Sequence, residues 1–237
     1  NTPYTGADDV GALIIEAQQG ESGYVPTPPG YLEIVKEACE KHGALYISDE
    51  VQAGAGRTGK MWCIEHSNVE PDMITWGKGM GGDVSMAGLT MRKDLAEKVA
   101  DYSQPNTWAA NAMTCAAAIT NIEIITENDQ ALIKRCASLG AEISGILRDA
   151  AKDIKQIGDV RGNGLMIGIE MVTDQESRTP LDGETIGSLM MDLLNRGIIM
   201  VPCGRYGNVF RFMPSLVLTR EHALKATDIF IDSLKKL

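Results

Sequence analysis

The stretch that decides the fold is residues 45–82, LYISDEVQAGAGRTGKMWCIEHSNVEPDMITWGKGMGG. Apolar runs at 44–47 and 73–76 predict two short buried strands. Asp49 and Glu50 follow the first run, and Lys78 stands between glycines after the second. Ligands of open parallel α/β sheets bind where the strands end, so we expect a carboxylate and a lysine at one edge of one sheet.

This pairing of residue types suits one kind of cofactor chemistry. A lysine amine shielded from water is a good nucleophile for a carbonyl, and pyridoxal phosphate (PLP) is held as a lysine Schiff base with a carboxylate at its ring nitrogen. Taken one at a time, however, a lysine after a strand is typical of a solvated surface, and an Asp-Glu pair is typical of a cap or turn. Both interpretations stay open at this point.

A longer sequence match favours the cofactor-binding interpretation. The segment resembles the signature of class III (ornithine/GABA-type) PLP-dependent aminotransferases, through four matching blocks: residues 48–52 (SDEVQ), 54–59 (GAGRTG), 70–72 (EPD) and 78–82 (KGMGG). A pattern of this length is more specific than a bare glycine motif. The resemblance implies that Lys78 forms the Schiff base, that Asp49 pairs with the pyridine nitrogen, and that Gln52 contacts the ring hydroxyl, with Val51 also among the cofactor-binding residues.

Composition excludes several classes of partner. The chain has 237 residues, 44% hydrophobic, with a net charge of −10, which argues against binding nucleic acid. No apolar run is long enough for a membrane span, and no secretory leader is visible. Its five cysteines are scattered, and its three histidines are isolated. This favours free thiols in a reducing cytoplasm and predicts no metal site.

The order of elements predicts an α/β fold. Apolar residues 11–15 indicate a buried strand, and a helix over residues 32–42, ended by Gly43, leads to the strand before Asp49. The resemblance implies PLP-dependent transferase fold type I. Residues 1–150 would be the C-terminal part of the PLP-binding large domain, with a mainly parallel sheet and a linking helix over residues 112–147. Residues 151–237 would be a small α+β C-terminal domain.

Three further residues are assigned through the resemblance. Thr107 matches a threonine that binds the PLP phosphate of a neighbouring subunit, which implies a homodimer or homotetramer; a helix N-cap is its alternative role. Glu21 and Arg211 match an acid–arginine pair that binds substrate, the arginine holding the carboxylate of a 2-oxo acid. From the residues alone, Glu21 would be a loop carboxylate and Arg211 a charge at a strand end.

The expected function is PLP-dependent transamination between an ω-amino, GABA-like amino acid and a 2-oxo acid. An amino-acid racemase or epimerase of the same fold remains open, because it would share Lys78 and Asp49. A non-catalytic fragment also remains open. The resemblance spans the chain but only about the C-terminal half of a family member, so the family's phosphate-binding loop and ring-stacking aromatic have no counterpart here.

Overall fold

The computed structural model describes residues 10–101 and 106–237. They form two compact units. The first contains the chain up to Ala17, Thr27–Ala55 and Lys60–Ala131, and the second contains Gln18–Pro26, Gly56–Gly59 and Leu132–Leu237. The proposed domain limits, 1–150 and 151–237, stay a prediction, and their first nine residues lie outside the described part.

A four-stranded sheet organises the first unit. Its order is β1-β2-β3-β4, with β1–β2 and β2–β3 parallel and β3–β4 antiparallel. The strands are β1 (Ala12–Ile15), β2 (Leu45–Asp49), β3 (Met73–Trp76) and β4 (Gly88–Met91). Helix α1 (Tyr31–His42) joins β1 to β2 and ends at Gly43, whose φ of 68° is the left-handed value that glycine adopts easily. The predicted strand–helix–strand unit and mainly parallel pairing are therefore confirmed.

Strand β1 differs from its prediction in burial. The apolar run predicted a buried strand, yet Leu13 is 39% exposed and Ile14 is 54% exposed. The reason is its place in the sheet, because β1 is an edge strand among the described residues and pairs only with β2. Hydrophobic composition alone does not distinguish an edge strand from a central one.

Two helices of very different length follow β4. Helix α2 (Lys93–Ala96) is a single turn. The long helix α3 (Ala112–Ala150) covers the linking helix predicted over residues 112–147. It leaves helical geometry at residues 127–130, where Asn128 and Asp129 take left-handed φ angles of 50° and 57°.

The second unit packs an antiparallel sheet against helices. The sheet order is β5-β6-β8-β7, and the elements are β5 (Ile157–Asn163), β6 (Met166–Met171), β7 (Pro202–Cys203), β8 (Val209–Phe212), α4 (Gly183–Asn195) and α5 (Arg220–Leu234). The pairing of β7 with β8 begins at Pro202.

One hydrophobic core fills the second unit. Phe210 on β8 and Phe230 on α5 are both fully buried and meet edge to face, with ring centroids 5.6 Å apart. Ile143 and Leu147, on the C-terminal part of α3, belong to the same cluster. Truncating either phenylalanine to alanine is expected to cost about 3–5 kcal/mol.

Three further observations bear on the excluded classes. Between residues 10–101 and 106–237, no helix is both long and apolar enough to cross a bilayer. The five cysteines are free thiols. In the same ranges no group of three or more His, Cys, Asp or Glu side chains is arranged to hold a metal ion.

Candidate active site

The predicted residues of the first unit follow two neighbouring parallel strands. Asp49 is the last residue of β2 and lies opposite Thr75 of β3, so the two strands end at one edge of the sheet. Lys78 follows β3 by two residues, and its Nζ donates a long hydrogen bond of 3.4 Å to Gln52 Oε1. The structure therefore brings Lys78 and Gln52 together.

Asp49 is held by the turn that follows it. Its Oδ1 accepts a hydrogen bond of 3.0 Å from the backbone N–H of Val51, and both residues are half-buried. This local bond restricts the carboxylate at the strand end. Val51 contributes its backbone to this arrangement.

Lys78 begins a short 3-10 turn, Lys78–Gly81. Its backbone φ of 45° is left-handed, which is uncommon for a residue with a side chain. A Cβ built on Gly79 would meet nothing within 4 Å, so space around the lysine is open. The expectation of a lysine shielded from water is not met, because Lys78 is exposed among the described residues.

Glu50 was not predicted as part of the site, yet it organises the loop after β2. It is 2% exposed and accepts hydrogen bonds from Cys63 N at 2.7 Å, Ile64 N at 2.8 Å and Ser48 Oγ at 3.1 Å. Burial raises the pKa of Glu50, and these three hydrogen bonds oppose the shift. The hydrogen bonds of Glu50 therefore restrict the backbone next to Asp49.

Thr107 lies in an exposed turn over residues 107–110, just after the gap in the described chain. It is not the helix cap, because Asn111 Oδ1 accepts the hydrogen bonds from Met113 N at 3.0 Å and Thr114 N at 3.3 Å. The alternative role of Thr107 as an N-cap is therefore wrong, and its role as a phosphate ligand stays a prediction.

Glu21 and Arg211 meet within the second unit. Arg211 Nη1 donates to Glu21 Oε2 at 2.8 Å. The guanidinium is further held by Val201 O at 3.2 Å from Nε and by Pro202 O at 3.3 Å from Nη2. The Arg211 side chain is 21% exposed and that of Glu21 is 75% exposed, so the arginine is fixed and the carboxylate reaches it from solvent.

Gln18 was also missed by the sequence analysis, and it anchors the segment that carries Glu21. Its fully buried amide donates to Met166 O at 2.9 Å and accepts from Asn163 N at 3.0 Å. Gly204 N donates to Glu21 O at 2.9 Å, which gives the segment a second attachment. In the sequence, Gln18 stands beside a second glutamine, Gln19, and nothing in its neighbours separates it from a surface amide.

The residues of the first unit fit PLP by their chemistry. An amine, an amide and a carboxylate follow adjacent strand ends, which suits a carbonyl, a ring hydroxyl and a protonated ring nitrogen. Lys78 lines an open concavity of about 590 Å³ together with residues 82–87, and its described lining does not include Asp49 or Gln52. Thr75, opposite Asp49, also has a buried hydroxyl with no hydrogen-bond partner among the described residues.

The comparisons with known proteins give the family. The profile of the class-III aminotransferases matches residues 4–234, and the chain belongs to this family. Class III aminotransferases use PLP. An aminotransferase structure from Bacillus anthracis is 32% identical with a TM-score of 0.89, covering 96% of this chain and 52% of that one.

Two curated relatives differ in what their names say they do. The alanine/serine racemase of Pyrococcus horikoshii is 40% identical over 96% of this chain and 47% of its own length. The 5-aminovalerate aminotransferase DavT of Pseudomonas putida is 36% identical over 91% of this chain and 49% of its own length. The chain thus spans about half the length of the curated relatives it matches.

Proposed function

We propose that the protein carrying this chain transfers an amino group between an amino acid and a 2-oxo acid, using PLP bound at Lys78. The observation that carries the proposal is the Lys78 Nζ–Gln52 Oε1 contact of 3.4 Å at the edge where Asp49 also ends its strand. Membership of an aminotransferase family supports PLP-dependent amino transfer. So does the arrangement of Lys78 beside the Gln52 amide, at the sheet edge where the Asp49 carboxylate lies.

Each residue has a distinct task in this proposal. When bound, PLP supplies an electron sink for negative charge at the substrate carbon. Lys78 Nζ would hold the cofactor covalently, and as a free amine it would serve as the base that moves the proton at the substrate carbon. Asp49 would accept a hydrogen bond from the protonated ring nitrogen and keep it charged. Gln52 would direct the Lys78 amine and contact the ring hydroxyl.

The test is covalent capture of the cofactor. The full-length protein is incubated with PLP, reduced with borohydride and digested, and we expect the pyridoxyl group on the Lys78 peptide. Lys78→Ala should lose this label and all amino transfer, whereas Lys60→Ala, which changes an exposed lysine elsewhere in the chain, should keep both. Amino transfer that persists in Lys78→Ala would contradict the assignment.

The proposed amino donor is an ω-amino acid of the GABA type, with a 2-oxo acid as acceptor. The Glu21–Arg211 pair supports this choice, because an arginine that is paired with a carboxylate is not available to the α-carboxylate of an α-amino donor. The 5-aminovalerate aminotransferase relative supports it as well. Donor profiling with GABA, 5-aminovalerate and alanine checks it.

Racemisation is the second candidate, and the 40% identical racemase relative favours it. A racemase moves the same α-proton with Lys78 but needs no amino acceptor. Incubation of L-alanine in deuterated water, without a 2-oxo acid, separates the two activities. Formation of D-alanine that carries deuterium at the α-carbon supports racemisation. Turnover of L-alanine only when a 2-oxo acid is added supports amino transfer.

We also propose that the working unit is a homodimer or homotetramer in a reducing cytoplasm. Thr107 would reach the PLP phosphate of a partner subunit, and the free thiols suit such a compartment. Mixed dimers of Lys78→Ala and Thr107→Ala subunits should regain part of the activity that each homodimer lacks. Verified heterodimers without any recovery would count against a shared site.

A further inference from the structure

Asn121, on α3, contacts the turn that begins at Lys78. Its Nδ2 donates to Gly79 O at 2.6 Å and to Met80 O at 3.2 Å. Carbonyl oxygens only accept hydrogen bonds, so the nitrogen of the amide must face this turn. One side chain from another element therefore holds two carbonyls in the two residues that follow Lys78.

The helix fixes the direction of this amide. Ala118 and Ile125, three residues before and four after Asn121, are each 3% exposed and share its face of α3. The helix stays regular up to residue 126, because its departure from helical geometry begins at Glu127. Buried neighbours on both sides thus direct Asn121 toward the interior of the first unit.

The turn needs such support. Lys78 has a left-handed φ of 45°, a conformation that persists in a residue with a side chain only where the surroundings impose it. Gly79 adjoins it with open space around its Cα, so this part of the backbone has many other conformations available. Met80 is 2% exposed and fixes the turn from one side, and the Asn121 amide fixes its carbonyls.

We propose that Asn121 is a positioning residue for Lys78, which keeps the lysine turn in the conformation that presents Nζ to the carbonyl of PLP. This inference rests on the proposed function, in which Lys78 bonds the cofactor. Asn121 contributes geometry, since a reacting amine that samples many positions meets a carbonyl less often in a productive one.

The experiment measures how fast Lys78 captures PLP, in the full-length protein without substrate. Samples are reduced with borohydride at short times, and mass spectrometry quantifies the label on the Lys78 peptide. Asn121→Leu keeps the size of the side chain and removes its donor, so we expect capture about tenfold slower than in the wild type. Asn121→Asp should be slower still, because a carboxylate would face two carbonyl oxygens. Asn121→Ala replaces the leucine variant if that variant folds poorly.

Thr120→Val is the matched control. Thr120 is exposed and bonds only Ala116 O within α3, so its loss should leave capture at Lys78 unchanged. A well-folded Asn121→Leu or Asn121→Ala protein that labels Lys78 within twofold of the wild-type rate overturns the inference and leaves the proposed function intact. So does a slower rate that comes with an equally lowered urea unfolding midpoint, which reports general destabilisation. A wild-type protein without label at Lys78 overturns both.

Discussion

Arg211 Nη1 and Glu21 Oε2 lie 2.8 Å apart although 190 residues separate them in the sequence. Both residues belong to the second compact unit, because Gln18–Pro26 clusters with the C-terminal part of the chain. The arginine is the fixed partner, since two backbone carbonyls also bind its guanidinium. The carboxylate is the exposed partner, and only its side chain has to rotate to uncover the cation.

Glu21→Gln should change the choice of amino donor. The neutral amide no longer cancels the charge of Arg211, so the cation stays available to α-carboxylates. We expect the ratio of kcat/KM for GABA to kcat/KM for alanine to fall about tenfold or more, while 2-oxoglutarate still reacts. Glu176→Gln, an exposed acid of the same unit, is the control. An unchanged ratio in Glu21→Gln would show that Glu21 does not control access to Arg211, and it would favour the racemase alternative.

Asp49→Asn should slow amino transfer by roughly 10²- to 4 × 10³-fold. Removing the charged partner of the ring nitrogen costs about 3–5 kcal/mol, and about 1.4 kcal/mol corresponds to a factor of ten in rate. The measurement is kcat/KM together with the visible spectrum of the bound cofactor. Asp101→Asn changes an exposed acid and should alter neither. A rate within tenfold of the wild type would show that another acid serves the ring nitrogen.

Gln18→Leu should destabilise the second unit by about 2–4 kcal/mol in urea unfolding. The leucine leaves the buried Met166 O and the part-buried Asn163 N without their Gln18 partner; a buried group left unpaired costs about 1–3 kcal/mol, and a part-buried one costs less. Gln19→Leu is a matched control, because Gln19 is the exposed neighbour. Equal unfolding midpoints for the two variants would show that the buried bonds contribute little.

Asp72 should make stability depend on acid pH. Burial raises its pKa, but hydrogen bonds from Tyr46 N at 2.8 Å and Lys36 Nζ at 2.9 Å, with the charges of Lys36 and Arg92, hold the pKa below its usual value. A depressed pKa stabilises the fold above the unfolded value, about 3.9, and this contribution disappears as the pH falls through the folded value.

Asp72→Asn should therefore be less stable than the wild type at pH 7 and lose less stability between pH 4 and lower values. Unfolding midpoints across this range check the prediction, with Asp101→Asn as the control. Parallel curves for the wild type and Asp72→Asn would assign the acid sensitivity to other groups.

Local signals in the sequence determine several elements of the fold. The limits of β3 (Met73–Trp76) and the end of α1 at Gly43 are set by an apolar run and a glycine, and both were predicted. The class-III signature also predicted Lys78 and Gln52 as neighbours in a site; the structure places their side chains in contact, and their roles stay predictions.

The features that the sequence did not predict share a different cause. The exposure of β1 depends on its being an edge strand, which the order of residues does not reveal. Gln18 and Asn121 act through hydrogen bonds to backbone 148 and 42 residues away, and no periodic pattern marks such a pair. Their residue types are typical of polar surface positions, so only the fold separates them from ordinary amides.

The bond from Gln18 to Met166 also sets an order of events during synthesis. Gln18 leaves the ribosome 148 residues before its acceptor, which at about 5–20 residues per second is a delay of roughly 7–30 s. Throughout that interval the segment Gln18–Pro26 lacks the β5–β6 hairpin to which the Gln18 amide binds. The second unit therefore closes late, after translation has passed β6, and a nascent chain stalled before Met166 would expose this segment to chaperones and proteases.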